Sequence, residues 1–459
     1  MRSIHLHKPD QDPLFHTERR FLSIALDWAL ILGERWWDGT RRTRRGFGSV
    51  RAPELTLGEK RLIDAAAALG PAYLRLGGSE TDRISFGPYD APCPTRLSPE
   101  RWDEAADFAK AAGLDLFVSI GAGVCARDRT GRWLPDSFRL LLRHLREKGQ
   151  KVAVWELGNE VNGFPFIHGL SAWVSPRQYA EDFRLFRKLA KESGGVVAGP
   201  AAAVWPLIGE PLPIVGGVAR RLGEDLDMLT WHYYPYQGRR GVFGVRRVGF
   251  RNALRSRARR SASRLAGRMR RFGRSAGSVW LSETGSALFG GEAGVSDRFM
   301  GSLWWLDHLG GMAAAGMGGV VRQALVGGEY GLLEQEGLRP RPDFWCSLLW
   351  KKVMGTAVYA PQRAGPFLTV YRHSRADGKQ GWSALVVNGS RRRGATLHLP
   401  TAGEGWSLAG PLDSPGVEVN GHFLGPESYP DLPSLPPGRR ISGRLQLGAG
   451  AALFVLFDR

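Results

Sequence analysis

The stretch Val152-Ala153-Val154-Trp155-Glu156-Leu157-Gly158-Asn159-Glu160 is a short β-branched run closed by a turn glycine, an amide and a carboxylate. Runs of this length, bounded by turn signals, read as strands buried on both faces of a parallel sheet. A second run, Val279-Trp280-Leu281-Ser282-Glu283-Thr284-Gly285, also carries a glutamate near its end. Six more runs share the texture, at 21–27, 72–78, 114–121, 194–202, 226–234 and 318–327. Helical spacing of apolar residues occupies 57–69, 99–112, 136–148, 176–193 and 296–315 between them. The alternation predicts an α/β fold, a (β/α)8 barrel, with Glu160 ending strand four and Glu283 on strand seven.

After a last helix near 343–355 the texture changes. Short strands at 367–371, 382–387, 395–399, 416–419 and 451–457 alternate with Gly- and Pro-rich turns, which predicts an all-β sandwich. The opening segment, 4–15, is expected to contribute a strand. The expected division is a catalytic barrel over 16–345 and a β-sandwich made of 1–15 with 346–459.

The 459 residues are 43% hydrophobic, enough to bury a sizeable core, and carry a net charge of +19. That charge suits an anionic partner: nucleic acid, an acidic polysaccharide or a membrane surface. No zinc-finger or RNA-binding motif accompanies it, so nucleic acid is the weaker choice. No apolar run approaches the ~18 residues of a membrane span. The first ten residues lack the apolar core of a secretory signal. Cys93, Cys125 and Cys346 are odd in number and scattered, without metal or disulfide spacing, and are expected to be free thiols. Arginines crowd 239–274, which reads as a long loop after strand six running into a basic helix. In that loop Arg239, Arg240, Arg246 and Arg247 are candidate polyanion contacts.

Carboxylates at the C-terminal ends of barrel strands face the functional mouth. Two of them, from different strands, are what glycosidic bond cleavage needs. Glu160 is the candidate acid/base and Glu283 the candidate nucleophile, with Asn159 placed to bind the hydroxyl beside the reacting carbon. The bland alternative for Glu283 is a structural carboxylate buried against an arginine. Tyr234 and His232, at the end of strand six, are candidates to hold the nucleophile and to line the cleft.

These segments resemble the heparanase group of glycoside hydrolase family 79. The similarity covers Leu74 to Asp82, Gly113 to Leu116, Trp155 to Glu160, Trp280 to Ser286, Val321 to Gln323 with Gly328 to Tyr330, and Pro342 to Trp345, in that order. The resemblance implies a retaining endo-β-glucuronidase acting on heparan sulfate by double displacement, without metal or cofactor. It places Asp27 and Asn159 on glucuronate hydroxyls and Gln323 and Tyr330 in the sugar site. Ser79 stands where the family has threonine. Gly290 and Gly291 fall in the family's glycine-rich segment, whose N–H groups meet the uronate carboxylate. Only a short loop, 84–97, fills the place of the linker excised from animal heparanases, which implies an enzyme active as a single chain. A polysaccharide substrate implies a secreted or periplasmic location. An exo-β-glucuronidase on other glucuronate-containing glycans uses the same two glutamates. A non-catalytic polyanion-binding protein is the alternative from another class.

Overall fold

Eight of the apolar runs close on one another. The structure is a computed structural model that describes residues 2–37, 49–87, 93–206, 208–238, 245–426 and 435–458. The barrel strands are Leu22–Asp27, Tyr73–Gly77, Asp115–Ile120, Val154–Leu157, Val196–Val204, Met228–Tyr233, Ser278–Thr284 and Gly319–Arg322. Each lies parallel to the next, and the eighth returns to the first with Val320 opposite Leu22. A helix follows every strand: Lys60–Ala68, Pro99–Ala111, Asp136–Lys148, Pro176–Glu192, Val215–Leu222, Ser256–Phe272, Phe299–Ala314 and Pro342–Val353. Two start as their sequences dictate. Ser98 and Ser175 each accept a first-turn N–H, with proline at the first helical position. Helix Val215–Leu222 was not anticipated, because Gly216 and Gly217 interrupt its apolar stripe.

Strand alternation sets what fills the barrel. Ala25, Tyr73, Phe117, Val154, Ala198, Met228, Trp280 and Val321 form one apolar layer inside it. Two residues further along the strands the interior turns polar, with Asp27, Arg75, Ser119, Glu156, Thr230, Ser282 and Gln323, all buried. The seventh strand breaks the alternation. Trp231 pairs with Leu281 but His232 pairs with Glu283, so Ser282 is an extra residue and Glu283 turns inward rather than out.

Beyond the barrel, Met354–Arg363 continues directly from the last helix into a nine-stranded sheet. The opening segment contributes two strands. Phe15–His16 joins that sheet beside Ala357 and Val358, and Arg2–His5 joins Ala395–His398 and Arg444–Leu447 in a second, three-stranded sheet. Ile4, Leu397, Val370, Ala384 and Leu453 pack between the two sheets. Tyr371, Leu385, Trp406 and Phe454 belong instead to the main core of the barrel. Helix Phe299–Ala314 touches the large sheet as well as the barrel, which is why it is apolar all round. At Gly310 a β-carbon would come within 2.4 Å of the Tyr371 ring.

The cysteines correct the expectation of free thiols. Cys93 and Cys125 form a disulfide, with Cα atoms 4.9 Å apart across 32 residues, and Cys346 alone is a buried thiol. Strand Ile84–Phe86 pairs in parallel with Thr95–Leu97 and folds the loop after strand two back on itself. Val124–Ala126, just after strand three, contributes Cys125 beside it. That adjacency is tertiary, so spacing could not show it. No described helix is long and apolar enough to cross a membrane.

Candidate active site

The polar layer is built around Arg75, whose side chain is wholly buried. Its Nε donates to Glu156 Oε2 at 3.0 Å and Nη1 to Glu283 Oε2 at 2.9 Å. Its Nη2 donates to Asn159 Oδ1 at 3.0 Å and lies 3.3 Å from His232 Nε2. A guanidinium can only donate, so His232 Nε2 is an acceptor and the ring proton sits on Nδ1. Nδ1 in turn faces Glu160 Oε1 at 3.2 Å. Tyr234 donates its hydroxyl to Glu283 Oε1 at 2.8 Å. Burial first, and then the Glu283 charge, hold that phenol well above its ordinary range, so it remains a donor. Burial opposes the charge of Glu156. The Arg75 charge and a bond from Ser119 at 2.7 Å nevertheless leave its carboxyl below its ordinary range.

Glu160 has φ +52°, a left-handed conformation costly for a residue with a side chain. A bulge in strand five holds it there. The pairing register slips between Gly199 and Ala202, and Ala201 O accepts the Glu160 N–H at 2.9 Å. Asp82 fixes the preceding turn, accepting N–H bonds from Asn159 at 3.1 Å and Ala122 at 2.8 Å. The Asn159 amide oxygen is taken by Arg75, and its NH2, without a partner among the described residues, can meet a ligand hydroxyl.

Asp27 caps the short helix Trp28–Ile31 through Ala29 N at 2.9 Å and accepts from Gln323 Nε2 at 3.3 Å. Burial, reinforced by Glu283, raises its carboxyl to about 8 against the Ala29 bond. Gly78, at φ +91°, makes room for it, since a β-carbon there would lie 1.7 Å from Asp27 Oδ2. Tyr330 stacks on Tyr234 with ring centres 6.2 Å apart. Gly290 and Gly291 both have positive φ. Among the described residues nothing accepts their N–H groups, while Gly290 O accepts from Glu329 N at 2.6 Å. Ser79 opens the turn Ser79–Arg83, half-buried, with no side-chain bond among the described residues.

The strand-six loop does reach the mouth: Gln237 bridges to Arg247 and to Leu288. Its charge is partly spent, because Arg247 pairs with Glu292 at 2.8 Å. Arg246 is exposed, and Arg239 and Arg240 lie outside the described residues. The structure thus groups Glu160, Glu283, Asn159, His232 and Tyr234 directly, with Asp27, Gln323 and Tyr330 alongside. Sequence reading missed Arg75, Glu156 and Asp82 as members. Strand alternation in the closed barrel accounts for the first two, each lying two residues past an inward residue, Tyr73 and Val154.

Oxygens of Glu160 and Glu283 and a ring nitrogen of His232 lie within 4.8 Å of one another, a span a metal ion could bridge. Both oxygens of Glu283 are already taken, by Arg75 and Tyr234, and Glu160 faces His232 Nδ1. Two carboxylates on the mouth side of a closed barrel, one oriented by a phenol and a guanidinium, suit acid–base and nucleophilic work on a glycosidic bond.

The family 79 glycosyl hydrolase N-terminal domain matches residues 15–195. Heparanase of Rattus norvegicus is 30% identical over 426 residues, covering 78% of this chain and 74% of that protein. Baicalin-beta-D-glucuronidase of Scutellaria baicalensis is 25% identical over 501 residues, covering 98% of this chain and 91% of that protein. A 4-O-alpha-L-rhamnosyl-beta-D-glucuronidase structure from Fusarium oxysporum 12S superimposes with a TM-score of 0.71 over 99% of this chain and 100% of that one. Its 13% identity makes this a likeness of fold. Fold, site and relatives together define a glycoside hydrolase. Within that class, the chain belongs to glycoside hydrolase family 79.

Proposed function

We propose that the enzyme hydrolyses β-glucuronide linkages with retention of configuration, and that its polymer substrate is heparan sulfate or a related acidic polysaccharide. The observation that carries the mechanism is the approach of Glu160 and Glu283, one carboxylate oxygen of each lying within 4.8 Å of the other. Retaining enzymes hold the pair about 5–5.5 Å apart, whereas inverting enzymes leave about 6.5–9.5 Å for a water. Glu283 attacks the anomeric carbon as Glu160 gives its proton to the leaving oxygen. Glu160 then takes a proton from water, which attacks the same carbon and frees Glu283. Arg75 and Tyr234 orient the nucleophile, and His232 orients the acid/base. Asn159 Nδ2, Asp27 and Gln323 meet sugar hydroxyls, and the Gly290 and Gly291 N–H groups meet the uronate carboxylate.

The likeness to rat heparanase supports a heparan-type polymer as the substrate, which the enzyme would cut internally. The likeness to baicalin-beta-D-glucuronidase, which spans nearly the whole chain, favours a second reading: removal of single terminal glucuronates. The disulfide supports an oxidising compartment and hence export.

An NMR time course on an aryl β-glucuronide tests the mechanism. The first-formed sugar is expected as the β anomer; the α anomer would overturn it. Sizing the products from heparan sulfate separates the two readings. Rapid loss of chain length means internal cuts, and release of single glucuronates at constant length means terminal ones.

A further inference from the structure

A groove of about 520 Å³ runs between the barrel and the β-sheets, and none of the carboxylate centre lines it. Arg251 and Arg255 stand on its barrel wall, in the segment that closes the strand-six loop. Arg391, Arg392 and Arg393 stand on the opposite wall, in the turn between Trp382–Asn388 and Ala395–His398, and Arg2 completes the lining.

Both walls are built structures carrying free charge. Asn388, 2% exposed, locks the arginine turn: its Nδ2 donates to Arg393 O at 2.9 Å and Gly448 O at 2.7 Å. Its Oδ1 accepts from Ser390 N at 3.1 Å. On the barrel wall Asn252 is tied to Gly249 N at 2.9 Å, and its carbonyl accepts the Tyr236 hydroxyl. Two neighbouring arginines differ in being neutralised, Arg247 by Glu292 and Arg259 by Asp307. No acidic side chain lines the groove, and among the described residues none of its six arginines has a carboxylate partner.

Arg2 and Arg255 each give one N–H to a backbone carbonyl, Ala364 O and Arg251 O, and guanidiniums without a carboxylate partner offer their remaining donors to sulfate and carboxylate oxygens. Several on two walls favour a polymer that presents such groups in series. Helix Ser256–Phe272 follows strand six, so its N-terminal end, next to Arg255, shares the face on which the active mouth opens.

We infer that this groove is an exosite for a sulfated polysaccharide, holding a stretch of chain beyond the part bound in the mouth. The choice of polymer rests on the acidic-polysaccharide reading above; the site itself does not need the mouth to be active.

The test uses the full chain and a defined heparin oligosaccharide, with binding measured over a range of salt. Arg391→Glu/Arg392→Glu/Arg393→Glu and, separately, Arg251→Glu/Arg255→Glu are expected to weaken binding about tenfold or more and to flatten its salt dependence. Arg143→Glu/Arg146→Glu/Lys151→Glu is the control for diffuse charge, on exposed residues leading into the opposite end of strand four. It should shift binding by no more than about twofold. Hydrolysis of an aryl glucuronide should be unchanged in all three. Equal weakening by the control, unchanged binding in both groove variants, or single-stranded DNA bound as tightly as heparin would each overturn the exosite. The two-residue variant decides if the triple variant fails to fold. Failure of the wild type to cleave glucuronides, with heparin binding still lost in the groove variants, would sink the proposed function and leave the exosite standing.

Discussion

Arg75 can neither accept a hydrogen bond nor readily lose its proton, so its burial is tolerable only because Glu156, Glu283 and Asn159 surround it. Arg75→Met leaves two buried carboxylates without their cation and should cost about 3–5 kcal/mol in a urea unfolding measurement. Arg75→Lys keeps the charge but not the fork, and should retain more stability than activity. Glu283→Gln should abolish turnover on every substrate. Glu160→Gln should spare aryl glucuronides with good leaving groups relative to the polymer, since these need little protonation. Equal losses on both substrates would contradict the acid/base role. Asp27 gives a pH prediction. Its folded value near 8 lies above the ordinary 3.8, so the folded protein holds this proton more tightly than the unfolded chain. The stability it contributes is complete below about pH 4 and is lost as the pH rises toward 8. Wild type should therefore lose stability relative to Asp27→Asn across that window. A flat or rising difference would show that Asp27 is ionised throughout.

At the scale of elements, turns and bulges do the positioning. Gly78→Ala would put a methyl where the Asp27 carboxyl now sits, at a φ that alanine avoids. It should lower the melting temperature and also raise KM for a glucuronide, because the displaced carboxyl is both the helix cap and a sugar contact. The disulfide closes the loop between strands two and three, and Cys93→Ser should lower stability by about 2–4 kcal/mol. Thiol titration in denaturant should find one thiol before reduction and three after, because Cys346 alone is free. The barrel was legible because its strands are buried on both faces and read as unbroken apolar runs. Gly403–Ala409 and Arg444–Leu447 were not, since glycine, glutamate and exposed arginine interrupt them. Glu160 and Glu283 stood out as charges at the ends of apolar runs. Arg75 was hidden within one, and what it pairs with depends on register between strands. The bulges that turn Glu160 and Glu283 into the mouth leave no mark in composition.

Across the whole molecule, a +19 chain keeps a negative catalytic centre at the mouth of the barrel and gathers six arginines without a carboxylate partner among the described residues at the junction with the β-sheets. Salt should therefore weaken action on a sulfated polymer far more than on a small glucuronide. The central claim is that Glu283 is the nucleophile of a two-step displacement. The direct measurement is to trap the enzyme with an activated 2-deoxy-2-fluoro-β-glucuronide and map the labelled peptide by mass spectrometry. The account predicts one glucuronyl adduct per chain, on Glu283. A label on another residue, or turnover of the same compound without any covalent adduct, would contradict it.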